Sequence, residues 1–554
     1  DGAANWSNVA TGNSTALGLN KGQGYYDLAI LASPLDADQL IVGTNNMFRS
    51  TDGGVTFDCL GGYCTGGLNL HPDIQDALCV GGDCWIATDG GMYYSTDFFA
   101  NSNEARNKGL TGSEFWGYSQ GWNTNMFVGG RYHNGNTSWH ESYPSGQTLC
   151  LGGAESATGW ILHGREPEAY FDDAGGGFTL LIPQVISDPL VSSTSFTKHP
   201  NKVYGHLTSR LLTHPENAAI HFTGQGNVFW RSDDAGVNWT NLRDFGEKTW
   251  WFEMSRSNLD VIYLFTETGF HKTTDGGANW TDLTAQLPTG FGLHSNGRVT
   301  VDGYDENTLW ILNFEGSNGA FVYKSTDGGM TWTNWTTPTL DDREFRTVTH
   351  VLGTNGGVYL TSINGDSGTY PAKVFYRNNT DTDWRDCSSN IPAGFNPLKL
   401  VPFYRDSKMR LAGNMGVWET DLEETFNIIA QPMVTNKTPL ACLEDIKFDC
   451  YSVLDHSGAN WSWSFPSAST VSSTTARNPV VQYNSPGTYT VTLTITRGVE
   501  MSTKSMQVAV GGSCPGGISS NYSIDTDKDG IPDIIENTAC QHVIPQGNYV
   551  NGSN

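Results

Sequence analysis

Ser325-Thr326-Asp327-Gly328-Gly329-Met330-Thr331-Trp332 decides the fold, because the chain keeps repeating it. Thr273-Thr274-Asp275-Gly276-Gly277-Ala278-Asn279-Trp280 and Ser232-Asp233-Asp234-Ala235-Gly236-Val237-Asn238-Trp239 are further copies, and Ser50-Thr51-Asp52-Gly53-Gly54-Val55-Thr56-Phe57 is a fourth. The pattern is Ser/Thr-x-Asp-x-Gly-x-Thr/Asn-aromatic, and each copy follows a strand-like run such as Val322-Tyr323-Lys324. Asp bends the chain by accepting local backbone N–H groups, and Gly supplies the positive φ of a tight turn. Ser or Thr adds a side-chain bond to the same turn. The closing Trp or Phe carries a large apolar area into a core. Spacings of about 40 to 55 residues suit one four-stranded antiparallel sheet per repeat.

Weaker copies fill the gaps. Tyr94-Ser95-Thr96-Asp97 keeps the opening, Asp172-Asp173-Ala174-Gly175-Gly176-Gly177-Phe178 echoes the acid and glycines, and Asn378-Asn379-Thr380-Asp381-Thr382-Asp383-Trp384 keeps the aromatic. Gly43-Thr44-Asn45-Asn46, Gly353-Thr354-Asn355-Gly356 and Gly413-Asn414-Met415-Gly416 recur as a second element, read as the inner-strand turn of each sheet.

The four turns resemble the Asp-box of sialidases, sortilin-type receptors and xyloglucan-hydrolysing enzymes, all of them β-propellers. That resemblance implies an all-β fold, with an Asp-box β-propeller of eight to ten blades over residues 1–430. It also implies that Asp52, Asp234, Asp275 and Asp327 are structural. Asp1-Gly2-Ala3-Ala4-Asn5-Trp6 aligns with residues 275–280, so the chain is expected to start inside such a turn of a longer polypeptide. Residues 1–10 are expected to lend an outer strand to the half-blade at 416–421, in cis or, by strand exchange, in a homo-oligomer.

Two further segments follow. Trp461-Ser462-Trp463-Ser464-Phe465, then Val480-Val481-Gln482-Tyr483 and Gly487-Thr488-Tyr489-Thr490-Val491-Thr492-Leu493-Thr494-Ile495, resemble a PKD domain, an immunoglobulin-like β-sandwich, at 431–512. The last run alternates apolar residues with Thr, as a half-buried strand does. Residues 513–554 contain Asp525-Thr526-Asp527-Lys528-Asp529-Gly530-Ile531-Pro532-Asp533-Ile534-Ile535-Glu536. Oxygen donors Asp525, Asp527, Asp529, the Ile531 carbonyl, Asp533 and Glu536 fall at calcium-loop positions, with Gly530 at the turn. This segment resembles a thrombospondin type 3 repeat, the start of a calcium-stiffened stalk, so calcium is the expected cofactor.

Composition narrows the class. Acids number 57 against 31 Lys and Arg, a formal charge of −26, which disfavours nucleic acid and anionic membranes as partners. No run approaches the roughly 18 apolar residues of a membrane span, so direct membrane insertion is not expected. Ten cysteines with close neighbours fit local disulfides of an oxidising, extracellular compartment. The candidates are Cys59, Cys64, Cys79, Cys84, Cys442/Cys450 and Cys514/Cys540, with three pairings open among the first four. Cys150 and Cys387 are left either to pair across blades or to stay free.

Catalysis finds little support in the residues. Propeller glycosidases need two facing carboxylates, or a tyrosine–acid pair with an arginine cluster. The Arg-Ile-Pro signature of sialidases is absent from this sequence, and Glu166, Glu168 or Asp305 cannot be paired from sequence. Aromatic and polar residues concentrate instead at 112–140, where Trp116, Tyr118, Trp122, Arg131, His133 and Trp139 form a candidate ligand-binding surface. The module order resembles the large surface proteins of Bacteroidota that are exported by type IX secretion. The expectation is a secreted or cell-surface adhesin or appendage protein, non-catalytic, contacting a glycan or protein on another surface. A propeller-type glycoside hydrolase is the alternative, and a sortilin-like peptide receptor the third.

Overall fold

In the computed structural model, the described residues are 24–511, apart from 109, 111, 153–157, 174–175, 193–195, 204–206, 293–296, 314–320, 341–342 and 364–370. The expected calcium loop at 525–536, Cys514, Cys540 and the proposed closing strand at 1–10 therefore lie outside them. The chain divides into two compact units between Phe426 and Asn427, with the short segments Thr213–His221 and Ser232–Asn238 grouped with the second.

The fold is all-β, and among the described residues helical structure is confined to short 3-10 turns such as Thr284–Gln286 and Pro338–Leu340. Between Ala29 and Asp421 the described residues form nine successive antiparallel sheets of three or more strands, numbered 1 to 9 here in chain order, with one two-stranded pairing of Lys202–Val203 and Leu207–Thr208 between the fourth and fifth. Sheets 1 to 4 span residues 29–62, 74–105, 119–152 and 160–192. Sheet 5 spans 211–244, sheets 6 to 8 span 249–282, 298–334 and 345–386, and sheet 9, at 397–421, has three strands. This succession is that of a β-propeller.

The repeated turn works as its chemistry predicts. In residues 325–331, Ser325 Oγ donates to Asp327 Oδ1 at 2.8 Å and accepts the Gly329 N–H at 2.9 Å. Asp327 then accepts the Thr331 N–H at 2.9 Å and the Thr331 hydroxyl at 2.6 Å. Gly328 and Gly329 both sit at positive φ, where a Cβ would be strained. The same bonds recur around Asp52, Asp234 and Asp275. Ser95 and Asp97 rebuild the turn without glycines, forcing Phe98 and Phe99 to positive φ. In the echo at 172–178, Asp172 pairs with Gly177 on neighbouring strands, and residues 174–175 lie outside the described ones. Residues 43–46 and 413–416 join the second and third strands of their sheets, whereas 353–356 joins the first to the second, so that element has no single place in a blade.

Seven of the nine sheets close on themselves. Met126 and Val128 of sheet 3 pack with Ile161 and Phe171 of sheet 4. Trp160 and Tyr170 of sheet 4 pack with Leu211 and Trp239 at sheet 5. Phe229 lies edge-on to Phe252 of sheet 6, and Trp251 donates to the Val299 carbonyl of sheet 7 at 3.1 Å. Trp310 of sheet 7 stacks on His350 of sheet 8, and Thr349 donates to the Leu400 carbonyl of sheet 9 at 3.1 Å. Sheet 9 then meets sheet 3: Phe115 and Tyr118 pack with Leu398 and Ala412, and Lys399 Nζ donates to the Tyr118 carbonyl at 3.0 Å. Sheets 3 to 9 thus form a seven-membered ring. Sheets 1 and 2 share a separate core of Ile41, Met47, Ile74 and Ile86.

In the second unit, Trp463, Val491, Leu493 and Ile495 point into a core with Phe448, Val481 and Tyr483. Between them Thr492 and Thr494 face outward and hydrogen-bond Ser505 and Thr503 across the sheet, at 2.8 and 2.9 Å. That alternation is what the sequence pattern requires of a half-buried strand.

Cysteine pairing resolves one ambiguity and overturns one expectation. Cys59 bonds Cys64 and Cys79 bonds Cys84, while Cys150 and Cys387 are free thiols. Cys442 and Cys450 do not pair: Cys442 is disulfide-bonded elsewhere and Cys450 is a free thiol. Cys450 ends the strand Ile446–Cys450 on its inward face, 1% exposed, with its sulfur on Ser452 Oγ at 3.0 Å. Strand alternation buries it away from the sandwich surface.

Candidate functional site

The ring has an axial cavity of about 50 Å³, to which every one of its sheets contributes at its first strand or just before it. Trp116 and Tyr118 come from sheet 3, Trp160 from sheet 4, Ser209 precedes sheet 5, and Trp251 belongs to sheet 6. Arg298, Arg346 and Lys399 come from sheets 7, 8 and 9. First strands lie nearest the axis of a propeller, so seven unrelated stretches of sequence converge on one point.

The lining is cationic and aromatic, with no carboxylate among it. Arg298 is 5% exposed, lies over the Trp251 ring at 4.7 Å, and donates Nη1 to the Gly297 carbonyl at 3.2 Å. Arg346 is 8% exposed and donates Nη1 to the Pro397 carbonyl at 2.9 Å, while its Nε has no partner. Among the described residues, Arg298, Arg346 and Lys399 form no ion pair with any carboxylate. Burial pulls the Arg298 guanidinium down to about 9, with Arg346 adding repulsion. Burial likewise brings Arg346 to about 10, against a weak opposing pull from Glu114 and Glu344. Lys399 falls to about 8, again by burial first and then by Arg210. All three stay charged at neutral pH. Buried unpaired charge is costly unless something compensates it, and an anionic group on the axis is the compensation this lining fits.

Cavity size limits that group. About 50 Å³ holds a few waters at roughly 10–15 Å³ each, or one carboxylate or sulfate head group. Pockets that engulf whole drug-sized ligands run to about 300–1,000 Å³.

The residues singled out at 112–140 do not form one exposed surface. Trp116 and Tyr118 are buried, at 7% and 2% exposure, and line the cavity. Trp122 packs near His163 and Tyr404 beneath the Arg256 guanidinium. Trp139 stacks on Phe127, and Arg131 Nη2 donates to the Asn134 carbonyl at 3.2 Å. His133 points elsewhere, onto Asp89. Aromatic side chains in blades find more apolar area between sheets than in solvent, which is why they turn inward. Sequence reading missed Arg298, Arg346 and Lys399, which sit in no motif. Their shared place at the head of successive first strands is the signal that could have found them. Glu166 is taken up structurally, accepting the N–H groups of Trp122, Asn123 and Thr124.

A second polar cluster lies where sheets 1, 2 and 3 meet. Asp27 precedes the strand Ala29–Ala32, Asp73 precedes Ile74–Val80, Asp89 caps the hairpin after Asp83–Thr88, and His133 caps the hairpin after Met126–Arg131. Asp89 accepts from Tyr26 Oη, Gln75 Nε2 at 2.8 Å, and His133 Nδ1. Burial, then the Asp89 and Asp27 charges, push the Asp73 carboxyl up to about 6.

Comparison with known proteins bears on the sandwich most directly. Residues 432–510 match the PKD domain family. A xyloglucanase of Paenibacillus sp. is 29% identical where the two align, over 25% of this chain and 17% of that protein, so the chain spans only a small part of that relative. Among solved structures, the Niastella koreensis GH74 enzyme is 12% identical, with a TM-score of 0.30 over 71% of this chain and 75% of that one. The extracellular domain of a putative one component system from B. thetaiotaomicron is 11% identical, with a TM-score of 0.36 over 87% and 69%. No helix among the described residues is long and apolar enough to cross a membrane.

Proposed function

We propose that this chain is an extracellular recognition protein whose propeller ring binds an acidic group presented by a glycan or protein on another surface. The observation that carries the reading is the convergence of Arg298, Arg346 and Lys399, buried and without carboxylate partners, on an aromatic-lined axis. The lining carries no pair of carboxylates of the kind glycoside hydrolysis uses, which supports binding as its chemistry. Disulfides at Cys59–Cys64 and Cys79–Cys84 support an oxidising compartment. In this reading the Asp-box turns hold the blades, the PKD domain is a spacer, and the 525–536 loop binds calcium at the head of a stalk. The test is a binding panel of sialylated, uronate-rich, sulfated and neutral glycans with the calcium-loaded chain. Retention of acidic glycans alone supports the reading, and equal retention of neutral ones contradicts it.

A second reading, a glycoside hydrolase, is favoured by the partial match to a xyloglucanase. New reducing ends from xyloglucan, detected by mass spectrometry in the same panel, would establish it and displace the first.

A further inference from the structure

Four side chains at the junction of sheets 1, 2 and 3 carry a ligand signature independent of the axial cavity. Metal-ligating atoms of Asp73, Asp89 and His133 all lie within 4.8 Å of one another. The side chains of His133 and Asp89 are each 8% exposed, and Asp73 is 4% exposed. An acidic cluster alone proves little, because carboxylates gather on many surfaces. Here, however, Asp27 sits fully buried beside the group, and no side chain outside the cluster donates a hydrogen bond to either of its carboxylate oxygens. Its electrostatic neighbours are Asp73, Asp89 and His133. Three carboxylates thus crowd one imidazole, and among the described residues no Lys or Arg forms an ion pair with any of the three. Like charges packed this closely in a dry site repel strongly, and a cation among them relieves the repulsion as a proton on one of them does.

The backbone holds this arrangement against its own preference. Asp73 and His133 both adopt positive φ, 62° and 56°, conformations that cost energy for residues with a Cβ. The surroundings fix them there. Asn45 Nδ2 donates to Asp73 Oδ1 at 3.3 Å, Gln75 Nε2 donates to Asp89 Oδ1 at 2.8 Å, and Asn134 Nδ2 donates to the Asp89 backbone carbonyl at 2.7 Å. Neutral donors around ligating carboxylates are the usual supporting shell of a metal site.

We infer that Asp27, Asp73, Asp89 and His133 bind a first-row divalent cation of the Mn²⁺ or Zn²⁺ class, joining sheets 1 and 2 to sheet 3. Carboxylates mixed with an imidazole suit such ions, whereas Ca²⁺ prefers six to eight oxygens. The ion's role is structural: Asp27, Asp73 and Asp89 come from the two sheets outside the ring, and His133 comes from a sheet within it. This site differs in charge, position and ligand from the axial anion site, so the two stand or fall separately.

The test uses the full chain carrying Asp529→Ala, which weakens the expected calcium loop as a competing site. Free Mn²⁺ is followed by electron paramagnetic resonance during titration, and the melting temperature is read with and without Mn²⁺. The expected result is one bound ion per chain and a melting temperature raised by Mn²⁺. Asp73→Asn and His133→Gln should each weaken binding about 10-fold or more and lose the thermal shift. Absence of a bound ion in the Asp529→Ala chain overturns the inference directly, even if a variant fails to fold. Undiminished binding in both folded variants overturns it equally.

Discussion

At the scale of single residues, the axial cations make the sharpest demands. Lys399 in the folded chain ionises near 8, below its ordinary 10.5. The folded state therefore binds fewer protons than the unfolded one between those values, and stability rises with pH across that window. Denaturant unfolding from pH 7 to 10.5 should show this rise, and Lys399→Met should flatten it. Anion affinity should run the other way, falling as pH climbs through about 8, because the ammonium that attracts the ligand is being lost. Binding that stays constant from pH 7 to 9 would remove Lys399 from the site. Little of this was legible in the sequence. Trp116 and Tyr118 stood out as an aromatic cluster, but Arg298, Arg346 and Lys399 read as ordinary strand residues. Their meaning comes only from convergence across sheets.

At the scale of elements, the repeated turn was the most legible feature, because its bonds are local. Every partner of Asp52 lies within four residues, so the motif and the structure carry the same information. Donation from the Thr56 hydroxyl and N–H, then from Ser50, pulls the Asp52 carboxyl down to about 2 from 3.8. A carboxylate with a depressed folded value adds stability that is complete above its unfolded value and disappears as pH falls through the folded one. Unfolding curves between pH 4 and 2 should accordingly be steeper for the natural chain than for Asp52→Asn. Packing between sheets is the second element-scale term. Trp310 is fully buried between sheets 7 and 8, and Trp310→Ala should cost about 3–5 kcal/mol in denaturant unfolding.

At the scale of the whole molecule, the sequence pattern supplied the sheets but not their grouping. Eight to ten blades were expected, whereas among the described residues seven sheets close as one ring and the first two share a core of their own. Closure depends on contacts such as Lys399 to the Tyr118 carbonyl, 281 residues apart, which no local pattern encodes. Phe115→Ala, at the seam between sheets 3 and 9, should open that closure and raise susceptibility to limited proteolysis before global unfolding. The central claim is that the closed ring builds an anion site on its axis. Calorimetric titration of the calcium-loaded full chain with an oligouronate, compared with its Arg298→Gln/Arg346→Gln variant, tests that claim most directly. Binding is expected to be measurable in the natural chain and weakened at least about 100-fold in the variant, at one tenfold step per lost charge-assisted contact. Equal affinity in both chains, with the variant folded, would contradict it.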